Sequence, residues 1–144
     1  FKEFKPVKAQ KTLANAIQIG DPVSYKKAIN VLKTFHGIVE QATEDELANA
    51  SAQADKTGLF SCPHTGVALA VLIKLLKGKM IRPEEKVVVI STAHGLKFPE
   101  FKIDYHENKL DEVTSRFANL PVEVPPQYDA VRTAIYRKLE KISG

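Results

Sequence analysis

The 144 residues include one cysteine, one methionine and no tryptophan. A lone Cys62 excludes an intrachain disulfide and fits a reducing compartment. The seven glycines are scattered, so no glycine-rich phosphate loop of the Walker or dinucleotide kind is present. No apolar run approaches the ~20 residues that a membrane span requires, and no membrane partner is expected. The chain opens without a signal peptide or an initiator methionine and reads as mid-sequence. A portion of something longer is the expectation. Charge of either sign is scarce in excess: the net value is +4, drawn partly from Lys2, Lys5, Lys8 and Lys11. That run reads as a solvated segment. Its pattern gives no support for a nucleic-acid surface, and no nucleic-acid partner is expected.

What is present suits a packed domain or a piece of one. With 44% hydrophobic residues over 144 positions, the chain can bury roughly 70% of the surface its unfolded form exposes. Ala16-Ile17-Gln18-Ile19 alternates like a short strand and stops at the turn signal Gly20-Asp21-Pro22. Tyr25, Ala28, Ile29, Leu32 and Phe35 then form one apolar stripe at helical spacing. Ser24 or Asp21 is placed to cap that helix and Gly37 to end it. Gly37 to Gln41 reads as a second short strand. Thr43 and Glu46 have the spacing of a capping box, and the helix behind them turns Leu47, Ala50 and Ala54 inward, ending near Gly58. Val67 to Ile73 is apolar all round and reads as a buried helix closed by Lys77-Gly78.

Val87-Val88-Val89-Ile90 has the pattern of a strand covered on both faces, as in a parallel sheet. Beyond residue 105 the pattern weakens. Pro121, Pro125 and Pro126 mark an extended connector, and Tyr128, Val131, Ile135, Leu139 and Ile142 give a last amphipathic helix. Strands alternating with helices predict an α/β fold with a parallel sheet. Ligands in such sheets sit past the carboxyl ends of strands. Gly20-Asp21-Pro22 and Ser91-Thr92-Ala93-His94-Gly95 occupy that position.

The chemistry-bearing residues are few. None of His36, His64, His94 and His106 pairs at helical spacing, so no metal site is expected. Neither Ser91 with His94 nor Cys62 with His64 has the surroundings of an activated nucleophile. His36 and His106 read as surface residues, His36 favoured by a helix C-terminus. Thr92 admits two readings: a loop hydroxyl bonded to nearby backbone, or a hydroxyl presented at the end of a buried strand to a ligand's polar atom.

Four segments resemble plant-type threonine synthases in order and spacing: Ala16 to Ser24 (AIQIGDPVS), Gly37 to Glu40 (GIVE), Cys62 to Leu69 (CPHTGVAL) and Ser91 to Phe98 (STAHGLKF), followed by Lys102 to His106 (KIDYH). The resemblance covers roughly residues 4–106. It implies the C-terminal portion of a fold type II enzyme dependent on pyridoxal 5'-phosphate. Residues 1–106 would belong to the cofactor domain and 107–144 would form a connector and helix. The implied reaction converts O-phospho-L-homoserine and water to L-threonine and phosphate, in the chloroplast stroma, within a homodimer. The resemblance matches Thr92 to the hydroxyl that meets the pyridine nitrogen. Ser91 and Ala93 flank it, and Gly20 and Asp21 would line the cofactor side. The lysine that carries the cofactor and the phosphate-binding loop match nothing here. Lys97 and Lys102 lack the right context, so this chain alone is expected to be inactive without the rest of the threonine synthase chain. Shorter versions of the IGDP (Ile19 to Pro22) and TAHG (Thr92 to Gly95) segments resemble other fold type II enzymes, such as threonine dehydratase or cysteine synthase relatives. A non-catalytic interaction module is a further reading.

Overall fold

A computed structural model describes residues 4–143. Lys2 lies outside them, and so does the side chain of Ile142. Five α-helices follow in chain order: α1 (Tyr25–Thr34), α2 (Glu44–Asp55), α3 (Pro63–Lys77), α4 (Pro99–His106) and α5 (Tyr128–Ser143). Two 3-10 turns stand at Asn15–Ile17 and Gly95–Lys97.

The core is built on the pair α2 and α3. At the start of α2 the Thr43 side chain accepts from the Glu46 N–H at 3.2 Å, and the Glu46 carboxylate accepts from the Thr43 N–H at 2.8 Å. This is the expected capping box, and it satisfies two donors that a helix start leaves open. Lys74 of α3 reaches the same Glu46 at 2.9 Å. Helix α3 starts on Cys62 with Pro63 in its first turn, where a missing N–H costs nothing. Small residues let the two helices approach. At Gly66 an added Cβ would lie 2.5 Å from the Leu47 carbonyl oxygen.

Helix α4 closes the other side of α2. Leu47, Ala48 and Ala52 pack with Phe101 and Tyr105, and Leu13, Phe98, Leu110, Val113 and Phe117 gather around them. The 110–117 segment is pinned by polar contacts as well. Asn49 donates to the Thr114 carbonyl at 3.0 Å and accepts from Tyr105 Oη at 2.9 Å and from the Arg116 N–H at 3.0 Å. Arg116 pairs with Asp45 at 2.6 Å.

The expected parallel sheet is not formed among the described residues. Among the described residues the strand-type pairing is a single antiparallel bridge, Ser61 with His94. Half of the supposed strand at Ala16–Ile19 (Ala16 and Ile17) lies in a 3-10 turn, and neither 37–41 nor 87–90 forms a strand ladder with another segment. The physical reason is direct. A parallel strand is held by neighbours 4.7–4.9 Å away, and its own sequence supplies none of those bonds. Residues patterned for burial are left exposed, with Val88 at 90% and Ile90 at 76%.

Other expectations are corrected in detail. Helix α1 ends in a left-handed residue that is His36, not Gly37 (φ 51°), while the Gly37 N–H returns to the Leu32 carbonyl at 2.8 Å. The Ser24 side chain makes no cap bond. Helix α3 buries only Pro63, Thr65, Gly66 and Ala70 rather than being enclosed all round. The stripe of α5 forms as a helix, with Tyr128, Val131 and Ile135 exposed. His106 is half-buried. It accepts from the Asn119 N–H at 3.0 Å, and burial lowers its pKa.

Candidate functional site

Two of the family-like segments meet at the start of α3. The chain enters that helix through Phe60-Ser61-Cys62, and the 91–95 loop lies beside it. The Gly95 N–H bonds the Phe60 carbonyl at 2.9 Å, and Ser61 bridges His94. An added Cβ at Gly95 would come within 2.8 Å of the Phe60 ring and 2.9 Å of Lys102 Cε, so a larger residue would have to push these side chains aside. His94 caps the following 3-10 turn, its Nδ1 accepting from the Leu96 N–H at 3.2 Å. Its role here is to shape the loop.

Docked in this way, Ser91 and Thr92 place their hydroxyls over the helix start. Thr92 Oγ1 lies 3.7 Å from Cys62 Sγ, and Ser91 Oγ lies 3.3 Å from Thr65 Oγ1. Cys62 and Thr65 are fully buried and linked to each other at 3.3 Å, whereas Ser91 and Thr92 are exposed. The set is therefore two hydroxyls of exposed residues that contact a buried thiol and a buried hydroxyl at the helix start. Ala93, half-buried, carries the turn between Thr92 and His94. No carboxylate belongs to this set.

Burial opposes charge on the Cys62 thiol. The hydroxyl and N–H of Thr65, together with His64 and Thr92, outweigh it and bring the thiol down to about 6. The unfolded thiol sits near 9.0, so between these values the unfolded chain binds the extra proton and stability rises with pH. This contribution is complete above pH 9 and is lost as pH falls toward 6. In urea titrations across that range, Cys62→Ser is expected to flatten the rise, and an unaltered slope would assign it elsewhere.

Gly20 and Asp21 are not brought to this set. Gly20 packs on the 7–9 segment, accepting at its carbonyl from the Val7 N–H at 3.0 Å, and a Cβ there would overlap the Val7 carbonyl. Close backbone packing thus accounts for glycine at this position. The preceding turn does reach α3, because the Ala16 N–H donates to His64 Nε2 at 2.9 Å and the His64 ring meets Phe98 at 5.1 Å. With Cys62 and Pro63 buried, the CPH segment serves packing.

Sequence reasoning missed a buried polar group behind the loop. Lys102 Nζ pairs with Asp55 at 2.5 Å and donates to Ser51 Oγ at 2.9 Å. Such a lysine is occupied and cannot serve as a free amine. Phe101 and Ile103 on either side of it were the available signal, offset by the charges of Glu100 and Asp104. Among the described residues no group of three or more His, Cys, Asp or Glu could hold a metal, and no helix is long and apolar enough to cross a membrane.

No family model matches the chain. It is 52% identical over 97% of its length to threonine synthase 2, chloroplastic, of Arabidopsis thaliana. It is 36% identical over 76% of its length to threonine synthase of Methanocaldococcus jannaschii, and 33% over 92% to threonine synthase of Methanosarcina acetivorans. The chain spans 27%, 27% and 30% of these relatives' own lengths. With the motifs, the docked loop and these likenesses together, the chain is related over nearly all of its length to one stretch of the threonine synthases.

Proposed function

We propose that this chain forms one wall of the cofactor site of a threonine synthase, with Thr92 as the partner of the pyridine nitrogen of pyridoxal 5'-phosphate. The observation that supports the reading is the exposed Ser91–Thr92 pair, whose hydroxyls are held by buried Cys62 and Thr65. The donor set fits the group, since a ring nitrogen needs one polar partner held in a fixed direction. When bound, the cofactor supplies the electron sink for converting O-phospho-L-homoserine and water to L-threonine and phosphate.

This chain's part is orientation. Gly95 and the Ser61–His94 bridge fix the loop, Ala93 turns it, and Thr92 presents its hydroxyl. A neutral hydroxyl does not hold a ring nitrogen protonated as a carboxylate would, so it moderates the sink and influences which product forms. Gly20 and Asp21 belong to the same proposal as a second loop on the cofactor side.

The lysine that carries the cofactor would come from the remainder of the enzyme. Lys102 is paired and Lys97 lies in the exposed 3-10 turn. The remainder would also supply the strands flanking 87–90, completing a parallel sheet of the fold type II kind. The division into a cofactor-domain part over 1–106 and a connector with helix over 107–144 goes with this reading. So do a homodimer and a location in the chloroplast stroma.

The test uses the complete polypeptide that carries this segment. It is expected to bind pyridoxal 5'-phosphate and to release phosphate from O-phospho-L-homoserine, while the 144-residue chain alone releases none. Thr92→Asp is expected to change the ratio of threonine to side products. An unchanged ratio would remove Thr92 from the ring nitrogen.

A further inference from the structure

We infer that Lys102, which takes no part in the proposed reaction, is a positioning residue that sets where the 91–95 loop, and with it the Thr92 hydroxyl, stands. The inference deepens the reading above and rests on it for the identity of the cofactor.

Lys102 is a buried charged residue, 6% exposed, on the inner face of α4. Its bonds converge on the two residues that carry the loop. Asp55 takes the Lys102 ammonium on Oδ2 at 2.5 Å and the Ser61 N–H on Oδ1 at 3.0 Å. Ser51 Oγ accepts from Lys102 and meets Ser61 Oγ at 3.1 Å. The ammonium also stands 4.7 Å from the centre of the Phe60 ring. Phe60 and Ser61 are the residues that bond Gly95 and bridge His94. The lysine stem forms the floor beneath Gly95, because a Cβ there would sit 2.9 Å from Lys102 Cε.

Burial pulls the pKa of Lys102 down, while Asp55 and then Cys62 support its charge. A buried ion pair of this kind adds little net stability relative to an apolar replacement of both partners, yet it fixes direction. Lys102 therefore acts on Thr92 through Phe60 and Ser61, three positions and one bridge away, without touching it.

The experiment compares the complete polypeptide with its Lys102→Met variant and with the double variant Asp55→Asn, Lys102→Met. The single change leaves Asp55 buried and unpaired, and the double change removes that penalty. Three quantities are read: thermal unfolding, hydrogen-exchange protection of the Gly95 amide, and the dissociation constant for pyridoxal 5'-phosphate followed by its absorbance. A merely structural pair predicts that stability, protection and affinity recover together in the double variant. The positioning role predicts that stability recovers while Gly95 protection stays lowered and cofactor binding stays weaker, on the order of tenfold to a hundredfold. Protection equal to the parent in a folded variant overturns the inference. Failure of both variants to fold overturns it too, by assigning the pair to folding. If the parent itself binds no pyridoxal 5'-phosphate, the functional reading falls, and Gly95 protection alone still decides whether Lys102 holds the loop.

Discussion

Tyr105→Ala is expected to destabilise the fold by about 3–5 kcal/mol, the range found when a large buried aromatic is truncated. Tyr105 is 1% exposed and stands where α2, α4 and the 110–117 segment meet. Its ring fills the space against Leu47, Ala48, Ala52 and Phe101. Its hydroxyl donates to Asn49 Oδ1 at 2.9 Å and accepts from the Phe117 N–H at 3.1 Å. The two contributions separate by substitution. Tyr105→Phe keeps the ring and leaves the Phe117 N–H without its acceptor, so about 1–3 kcal/mol should be lost. Urea midpoints for the two variants give the measurement. Equal losses would mean that the hydroxyl, rather than the ring, holds this corner.

Gly66→Ala comes next, with an expected loss of about 2–3 kcal/mol from overpacking. Alanine is the better helix former, by about 1 kcal/mol in an exposed helix, so propensity alone predicts a gain. Packing reverses the sign. The new Cβ would sit 2.5 Å from the Leu47 carbonyl oxygen and 3.2 Å from Ser51 Cβ. The first of these is backbone and cannot rotate away. Relief requires α3 to move off α2, and Cys62, Pro63 and Thr65 move with it. Unfolding and the separation of Thr92 from Cys62 should therefore change together. A variant as stable as the parent would show that the helices can separate at no cost.

Local signals in the sequence were readable because their physics is local. The capping box at Thr43 and Glu46 needs only residues three apart, and it is present as read. The end of α2 near Gly58 is of the same kind, and Gly58 is left-handed there, whereas the start of α3 at Pro63 lies earlier than the expected 67–73 helix. Helix α4 was missed. It is short, and the buried face carries Lys102 between Phe101 and Tyr105, so no apolar stripe marks it. A lysine reads as a surface residue until its partner is known, and Asp55 lies 47 residues earlier. The same distance problem hid the support behind the candidate site. Thr92 could be singled out because a β-branched run leads into it. Its contact with Cys62 spans 30 residues, and that of Ser91 with Thr65 spans 26. The strands were the main disagreement. Periodicity reports what a segment is suited to bury and says nothing of the neighbour that would bury it.

The unpaired segment after Lys86 also has a colloidal consequence. Val87 to Thr92 is six residues with no charge, no proline and no glycine, and five of the six are Val, Ile or Thr. Such a stretch with free N–H and C=O groups templates stacking with copies of itself. Lys86 guards one end by charge repulsion, and the other end has no such residue until Lys97. The run whose pattern suits a sheet is also an unpaired stretch suited to self-association.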